Sequence, residues 1–492
     1  MNKKDTVAII GGGVSGLSAA GLLSRQGWKV KLFEANSKLG GCCANTHINR
    51  YTFHDGALYL AFPGVLEHVF EKLGLNRSSL LPLRKIVANQ ETTLPDGTVV
   101  SFGDGLDVSL SDKGDARNAQ LQNELKHMLK KWNPVLRLFA DDILLHPFSV
   151  SHLITKGWRQ LPKLHGTVAS EINRLFSDEA VRAAMSGILL FTGNPPQQTP
   201  VLSILGLVAM LTEGFYLPEG GMGQIPEALS QAMKNTGGEI FLSSPINRII
   251  TKNGRVQGLD VAGQGLVKAD FVLSTASGMA TYSALLNDED VPGKMRRKAK
   301  YSLLSHKALA IQLGLSNKID VRAHSNGVLP MMDGQYKVFT PDNDSLKWPI
   351  YSVPTVTVPE LAPENGSIVE IFPPIQQTIP ADAWDTHNEE SVVASAVKAL
   401  SRLHDMDIAV KRVLGPKYFQ DCLHLHKGAV YGLSPTAGLG AYFSYRSPIE
   451  GLYLAGQTTY PGYGVSSAAM SGILAAETLI RLNRGRHSAR AC

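Results

Sequence analysis

Cysteine, excess charge and long apolar runs are all scarce in this chain. Four cysteines among 492 residues are too few for a disulfide framework, which favours a reducing and therefore cytoplasmic setting. The balance of 48 basic against 42 acidic residues, a formal net charge of +6, is too mild to indicate a nucleic-acid partner, and no nucleic-acid-binding motif occurs. No uninterrupted apolar run predicts a membrane span. These absences leave a globular chain long enough for two domains.

Metal-ligand clusters, internal repeats and a second dinucleotide motif are also missing from the sequence. His424 and His426 stand two residues apart on a predicted strand, a spacing more typical of packing than of metal ligands, so no metal is predicted. The G-x-G-x-x-G pattern occurs once. A nicotinamide cofactor would therefore lack a domain of its own.

What the sequence has in abundance near its start is glycine. The apolar run at 7–10 predicts a buried strand, Gly11, Gly13 and Gly16 follow with the G-x-G-x-x-G spacing, and a helical pattern then leads to a second strand that closes on Glu34. The first glycine permits the tight turn, the second lets the backbone approach a pyrophosphate, and the third allows the helix to pack on the sheet. The helix N-terminus attracts the phosphates, and the acid can accept hydrogen bonds from the ribose hydroxyls. The unit predicts a dinucleotide-binding fold.

The stretch after that acid suggests which dinucleotide binds. Residues 35–41, A-N-S-K-L-G-G, resemble the E-x-x-x-R-x-G-G continuation of flavoprotein oxidases and desaturases, with Lys38 where arginine is usual. A lysine can still meet a phosphate, as a point charge without the bidentate fork. Residues 51–60, Y-T-F-H-D-G-A-L-Y-L, resemble the Y-x-F-D-x-G element near the flavin, with His54 in place of the aspartate and Asp55 one position later. The resemblance implies FAD.

Two further blocks resemble the same proteins. Residues 451–480 match every position of G-L-Y-L-x-G-x-x-x-x-P-G-x-G-V with a later S-G, and this is similar to the C-terminal flavin motif of the phytoene desaturase, carotenoid isomerase and retinol saturase group. A helix that starts near Val465 would stabilise negative charge on a reduced flavin. Residues 215–229, F-Y-L-P-E-G-G-M-G-Q-I-P-E-A-L, resemble the family's Y-x-P-x-G-G-M-x-x-L-x-x-A-L element, with Ile225 for the first leucine.

Together the motifs define a set of expected FAD contacts. We expect the cofactor to be bound by Gly11, Gly13, Val14, Ser15, Gly16, Glu34, Ala35, Lys38, Gly40, Gly41, Asp55, Gly56, Ile246, Gly456, Gln457, Gly464, Val465 and Ser466. The adjacent Cys42 and Cys43 are expected to pack beside the cofactor as small residues, since a vicinal disulfide would be a strained ring.

The fold implied is α/β, a Rossmann-type FAD-binding domain of the glutathione-reductase-like kind joined to a discontinuous α+β substrate-binding domain. The cofactor domain is predicted from residues 1–100, 213–280 and 415–492, and the substrate domain from residues 101–212 and 281–414. An Asn253-Gly254 pair predicts a β-hairpin. The apolar segment before Glu213 predicts either a buried core helix or the lining of an apolar tunnel.

The resemblance implies an FAD-dependent oxidoreductase that acts on an apolar substrate, a polyene, an isoprenoid or an acyl chain, by hydride transfer at a CH–CH bond. Desaturation, saturation and isomerisation stay open, and for desaturation the electron acceptor would be a quinone or oxygen. A flavin amine oxidase is one alternative, although its usual G-E-H-T-like turn is replaced here by Gly456-Gln457-Thr458-Thr459. A tailoring oxidase of a small heterocyclic or carrier-bound intermediate is another. A non-catalytic lipid or prenyl escort protein is the alternative from a different class.

Catalytic residues are hard to select from the sequence, because the cofactor carries the difficult step and the protein need supply at most one acid or base. Four polar side chains adjoin the flavin motifs and are the candidates: Glu213, Tyr216, Tyr460 and His54.

Basic amphipathic stretches in the predicted substrate domain suggest contact with a membrane surface. Residues 123–139 and 150–164 mix leucine, tryptophan and phenylalanine with lysine and arginine at near-helical spacing, and residues 294–300 and the C-terminal tail are basic. Such helices can lie in a membrane interface while their lysine stems reach the headgroups. We therefore expect a cytoplasmic protein that can attach peripherally to the inner membrane face.

Overall fold

The computed structural model describes residues 5–111, 114–188, 194–329, 349–384 and 386–491, with the backbone alone at residues 386–388, 439 and 485–491. The strands in this part of the chain are β1 (Thr6–Ile10), β2 (Lys29–Phe33), β3 (Asn45–Ile48), β4 (Tyr51–His54), β5 (Leu83–Lys85), β6 (Gln90–Thr93), β7 (Val99–Phe102), β8 (Val108–Leu110), β9 (Tyr216–Pro218), β10 (Glu239–Phe241), β11 (Ile246–Lys252), β12 (Arg255–Val261), β13 (Gly265–Lys268), β14 (Phe271–Ser274), β15 (Ala310–Leu315), β16 (Ser325–Val328), β17 (Ile350–Ser352), β18 (Ser367–Ile371), β19 (Ile408–Leu414) and β20 (Leu452–Leu454).

The helices in the same ranges are α1 (Val14–Arg25), α2 (Pro63–Leu73), α3 (Arg77–Leu80), α4 (Asp115–Asp141), α5 (Val150–Gly157), α6 (Val168–Leu175), α7 (Glu179–Ile188), α8 (Ile204–Thr212), α9 (Gln224–Lys234), α10 (Gly278–Ser283), α11 (Gly293–Tyr301), α12 (Thr386–Leu400), α13 (Pro416–Asp421) and α14 (Val465–Ala491).

A parallel sheet forms the first layer, with strand order β10-β2-β1-β14-β20. Its central strand β1 is almost continuously apolar, and Val7, Ala8 and Ile9 are fully buried, because both faces of a parallel sheet are covered. Helices α1 and α14 pack together against it. At their crossing a Cβ on Gly472 would lie 2.1 Å from the Ser15 carbonyl oxygen, so the glycine permits the close approach. This sheet is the predicted Rossmann-type domain.

The second sheet has eight strands in the order β19-β15-β18-β17-β16-β6-β7-β8. Strands β15 and β18 are buried along their whole length. Strands β6 and β7, whose residues the sequence analysis placed mainly in the cofactor domain, hydrogen-bond into this sheet beside β16. The predicted boundary at residue 100 is therefore too late, because it would cut β7 out of its ladder. The boundary after residue 280 likewise falls inside α10.

A layer of helices covers one side of the molecule. The long helix α4 buries Leu125, Met128, Trp132 and Leu136 along one face. Its Lys126 and Lys130 are exposed, whereas Lys131 pairs with the buried Glu171, so residues 123–139 form an ordinary amphipathic helix. Helix α8 is buried in the core almost throughout. The apolar segment before Glu213 is therefore a buried core helix rather than the lining of a tunnel. The hairpin predicted at residues 253–254 is confirmed, since Lys252 pairs with Arg255.

Helix α14 also contains the one stretch in the described ranges that is long and apolar enough to cross a membrane, Val465–Arg484. This stretch differs from the expectation from sequence, which was that no apolar run predicts a membrane span. Of its most apolar window 61% is buried inside the protein, where it packs against α1 and α2. The helix therefore serves as a core helix of the cofactor domain in this structure.

Candidate functional site

The glycine loop joins β1 to α1 in the predicted way. Gly11 has φ +97°, a conformation that disfavours any side chain, and its amide donates to the Phe33 carbonyl at 2.8 Å. A Cβ on Gly16 would lie 2.0 Å from the Gly11 carbonyl oxygen. These two glycines are therefore required by the fold itself.

Gly13 is different, because a Cβ there would meet only the Gly40 carbonyl oxygen, at 3.9 Å. The protein leaves this space open at the start of α1, where Val14 begins the helix and no side chain caps it. Nearby, the Ser15 hydroxyl is buried without a hydrogen-bond partner among the described residues. Uncapped amides at a helix N-terminus attract anions. Open space, free amides and an orphaned hydroxyl together fit the phosphates of FAD.

Glu34 closes β2 on the same side of the sheet. Its carboxylate is buried and accepts hydrogen bonds from the amides of Gly12 at 2.7 Å and Asn36 at 2.8 Å. These bonds hold the acid at the carboxyl end of the strand, the position from which a ribose is bound in this fold. The neighbouring expected contacts Ala35 and Ile246 are both partly buried, the latter at the start of β11.

Lys38 is engaged by three oxygens of the neighbouring hairpin. Its ammonium donates to the Asn45 carbonyl at 2.6 Å, to the Thr46 hydroxyl at 2.7 Å and to Asp55 at 2.6 Å. An ammonium has three donors, so all are used. Asp55 is fully buried and also lies 2.9 Å from the Arg412 guanidinium. The half-exposed lysine thus pairs with the buried Asp55, and its expected contact with a phosphate stays a prediction.

The glycine pair after Lys38 brings the next turn of chain against the glycine loop. Gly40 and Gly41 both have positive φ, and the Gly40 amide donates to the Gly12 carbonyl at 2.9 Å. Cys42 and Cys43 follow as free thiols. Burial raises the pKa of Cys42 to about 12 and raises that of Cys43 as well, so neither forms the reactive thiolate at neutral pH.

Gly56 and the C-terminal motif complete the predicted cofactor contacts. A Cβ on Gly56 would lie 3.2 Å from the Cys42 carbonyl oxygen. Gly456 and Gly464 have positive φ, and Gly464 has open space around its Cβ position, immediately before α14 begins at Val465. The Ser466 hydroxyl donates to the Ala61 carbonyl at 2.6 Å and so ties α14 to the N-terminal block. Gln457 lies partly buried in the same turn.

A cavity opens between these motifs and the eight-stranded sheet. Cys42, Gly56 and Leu58 line its cofactor side. The opposite side is mainly apolar and is lined by residues such as Leu309, Ala310, Leu329, Ile350, Ile375 and Leu414. The cavity therefore connects the flavin motifs to an apolar chamber within the second domain, which is where a substrate would meet the flavin.

Of the four catalytic candidates, His54 alone lines this cavity. The residue is 2% exposed, and neither ring nitrogen has a partner in the part of the chain that the structure describes. Burial lowers the pKa of His54 to about 4, so its imidazole is neutral at physiological pH. A buried, neutral and unbonded imidazole in a cavity is available to a ligand.

The other three candidates are engaged elsewhere and remain predictions. Glu213 lies 3.5 Å from Arg137, and burial raises the pKa of its carboxyl. The Tyr216 hydroxyl donates to the Glu213 carbonyl at 3.0 Å. The Tyr460 hydroxyl donates to the Ile143 carbonyl at 2.6 Å, and burial raises its pKa.

Sequence analysis missed Glu370, a second polar residue in the cavity. It stands on β18, is 2% exposed, and accepts hydrogen bonds from Gln312 at 2.7 Å and Ser352 at 3.2 Å. Burial raises the pKa of Glu370 to about 7, against the lowering effect of its hydrogen bonds and of Arg412. The sequence signal for this residue was a single acid in the otherwise apolar strand S-I-V-E-I, because a glutamate is rarely fully buried unless it is paired.

Comparisons with known proteins agree with this geometry. The family model for flavin-containing amine oxidoreductases matches residues 14–480. The chain is 25% identical to a zeta-carotene-forming phytoene desaturase of Myxococcus xanthus, over 96% of this chain and 93% of that protein. It is 23% identical to a 4,4'-diapophytoene desaturase of a Methylomonas species, over 98% and 96%.

Solved structures show the same fold at lower sequence identity. An oxidoreductase from Methanosarcina mazei aligns with a TM-score of 0.66 at 16% identity, covering 96% of this chain and all of that one. A putrescine oxidase aligns with a TM-score of 0.64 at 14% identity, covering 97% and 99%. The family match, the desaturase relatives and the cradle for a dinucleotide indicate an FAD-dependent oxidoreductase. The chain belongs to the family of flavin-containing amine oxidoreductases.

Proposed function

We propose that this enzyme desaturates a polyene or related isoprenoid chain at the flavin. The observation that carries the proposal is the cavity, which extends from Cys42 and Gly56 beside the flavin motifs to an apolar chamber against the eight-stranded sheet. An apolar chain buried there leaves water and gains roughly 25 cal/mol per Å² of apolar surface. The full-length similarity to phytoene and diapophytoene desaturases supports the same substrate class.

When bound, FAD supplies a two-electron acceptor for a hydride equivalent from the substrate. The chain's own residues do the rest. The start of α1 and Glu34 hold the dinucleotide, and the Gly56 segment and the start of α14 frame the flavin end. The apolar lining orients the substrate and excludes water, so that a carbon can approach the flavin without competing reactions.

The proposal is tested by anaerobic titration of the FAD-loaded protein with phytoene in micelles, an acyl chain, or putrescine. We expect phytoene to bleach the oxidised-flavin absorbance and putrescine to leave it unchanged. Bleaching by putrescine alone would instead favour the amine oxidase alternative. A protein whose flavin is reduced by none of these three probes but is reduced by a small heterocyclic compound would be a tailoring oxidase. A protein that binds no flavin would be the escort alternative.

A matched pair of glycine variants locates the reaction in the cavity. Gly187 on α7 lines it, and Gly206 on α8 does not. A Cβ at either position meets no described atom within 4 Å, so both tolerate a side chain. Gly187→Leu should slow flavin reduction by phytoene, because the added isobutyl group occupies substrate space. The flavin of Gly206→Leu should be reduced by phytoene at the wild-type rate. Equal rates in the two variants would contradict the cavity assignment.

We also propose that the segment 148–165 attaches the protein to an anionic membrane surface. Phe148, Val150, Ile154 and Trp158 are exposed apolar side chains, with Trp158 60% exposed. Residues 143–170 contain no acid but do contain lysines and an arginine, which suits anionic headgroups. Phe148 lies 5.5 Å from the Tyr460 ring, centroid to centroid, which puts the segment next to the C-terminal flavin motif.

Vesicle sedimentation tests this attachment. Vesicles of mixed anionic and zwitterionic lipid should bind the wild type, and purely zwitterionic vesicles should bind it more weakly. Trp158→Ser should reduce binding severalfold, whereas Val87→Ser, which also removes an exposed apolar side chain but lies outside the segment, should not. Equal loss in both variants would contradict the assignment.

For the electron acceptor we propose a quinone or oxygen, to be distinguished by following reoxidation of the reduced protein with each.

A further inference from the structure

Six polar residues form a row across the eight-stranded sheet. Register pairs Gln90 with Ser325, Ser325 with Ser352, Ser352 with Glu370, Glu370 with Gln312, and Gln312 with Arg412. Cross-strand partners share one face of a sheet. Glu370, Gln312, Ser325 and Gln90 line the cavity. We call this set the polar row.

The polar row joins the cavity to the cofactor side through one buried network. Arg412 donates to the side-chain oxygen Oε1 of Gln312 at 2.9 Å, and the side-chain nitrogen Nε2 of Gln312 donates to Glu370 at 2.7 Å and to the His54 backbone carbonyl at 2.6 Å. Arg412 in turn pairs with Asp55, which holds Lys38. Each oxygen of Glu370 accepts one bond from protein, which leaves a lone pair on each for a ligand.

The charged or titratable groups on this side of the sheet come from several elements. Arg412 on β19 acts on Glu370 directly, and His54 on β4 and His306 and Lys307 before β15 line the same cavity. Asp55 pairs with Arg412, and His324, before β16, acts on His54. Burial lowers the pKa values of His54 and His306 to about 4 and of His324 to about 3, so all three are neutral near pH 7. Arg412 is balanced by Asp55. Burial raises the pKa of the Glu370 carboxyl to about 7, so this cavity group changes charge near neutrality.

We propose that Glu370 is the catalytic base, which takes a proton from the substrate carbon adjacent to the carbon that gives up hydride. The inference rests on the proposed function. Two C–H bonds break and one C=C bond forms: one hydrogen leaves with its electron pair to the oxidised flavin, which is reduced by two electrons. The other leaves as a proton to a Glu370 oxygen, and its electron pair becomes the new π bond.

Charge distinguishes Glu370 from His54 in this role. Proton transfer to a carboxylate removes a buried charge, whereas transfer to a neutral imidazole creates one. An apolar environment favours the neutral form of either group. The surroundings therefore make the carboxylate a stronger base than in water and the imidazole a weaker one. His54 remains able to orient the substrate but is the poorer proton acceptor.

The test compares wild type with Glu370→Gln, which keeps the shape and removes the charge. Flavin content should be equal in both. Anaerobic stopped-flow reduction by phytoene should fall at least about 100-fold in the variant. In wild type the rate should rise about tenfold between pH 6 and pH 8, as the carboxyl ionises with a pKa of about 7, and the variant should show no such rise. Glu364→Gln, which neutralises an exposed carboxyl outside the cavity lining, should behave as wild type.

A second readout does not depend on turnover. Infrared difference spectra between pH 6 and pH 8 should show a protonated-carboxyl band that titrates in wild type and is missing in Glu370→Gln. Glu370→Asp should restore the band and part of the rate. Unchanged reduction in Glu370→Gln, or no titrating band in wild type, would overturn the inference. A titrating band with no reduction by phytoene at any pH would instead overturn the proposed function, and the base assignment with it.

Discussion

Glu370 should destabilise the folded protein when it is ionised, and this effect is measurable without any substrate. Burial moves the pKa of its carboxyl from 4.5 to about 7. That change corresponds to roughly 3 kcal/mol of tighter proton binding in the folded state. Between these two pH values the folded protein holds a proton that the unfolded chain has lost. The contribution of Glu370 to stability is therefore fully present below about pH 4.5 and is lost as the pH rises through about 7.

Replacement of Glu370 by glutamine should raise stability at high pH. Near pH 8 the variant avoids the unfavourable buried charge, so its free energy of unfolding should exceed that of wild type by up to roughly 3 kcal/mol. Near pH 5 most of this difference should vanish, because the wild-type carboxyl is then protonated. The assay is thermal or urea unfolding of both proteins at the two pH values, with Glu364→Gln, an exposed carboxyl, as the control.

The reasoning would be refuted by a variant that is less stable than wild type near pH 8. A stability difference that stays the same at both pH values would refute it equally, since a pH-independent change reports packing rather than ionisation. If both this prediction and the kinetic one hold, the charge that weakens the fold is the charge that the reaction uses.

Three further outcomes follow from the site. Gly13→Val should fold but lose FAD, because the added side chain would occupy the open space expected to hold the cofactor. Gly16→Val should fail to fold, because its Cβ would lie 2.0 Å from the Gly11 carbonyl oxygen. Flavin absorbance and circular dichroism distinguish the two outcomes. Asp55→Asn should cost about 3–5 kcal/mol in denaturant unfolding, since it leaves two cations without their buried partner, and a loss below about 1 kcal/mol would contradict the network. Iodoacetamide should label the exposed Cys422 rapidly and the buried Cys43, whose thiol pKa is raised by burial, only after unfolding, as peptide mass spectrometry would show.

The parts of this structure that sequence could predict are the local ones. The glycine loop, its helix and Glu34 lie within one short unit, and each glycine has a steric reason visible in the spacing. Lys38 could not be placed this way, because its partner Asp55 is fixed by a separate hairpin. A motif position does not reveal which of two anions a lysine will meet.

The polar row is even harder to predict from the sequence. Its members come from strands between Gln90 and Arg412, and only the register of six paired strands brings them into line. Each residue alone is an unremarkable polar side chain in an apolar strand. The domain boundary at residue 100 failed for the same reason, since strand pairing across distant segments decides which sheet β7 joins.

The crossing of α1 and α14 has a consequence for biosynthesis. The ribosome makes the amide cradle at Ser15 more than 400 residues before Gly472, the glycine that seats α14 against it. Strand β20, which completes the sheet, is also made late. The nascent chain therefore carries an incomplete nucleotide cradle until α14 has been made. Flavin loading has to wait for that helix, and a chain truncated before Gly472 should emerge without cofactor however much FAD is present.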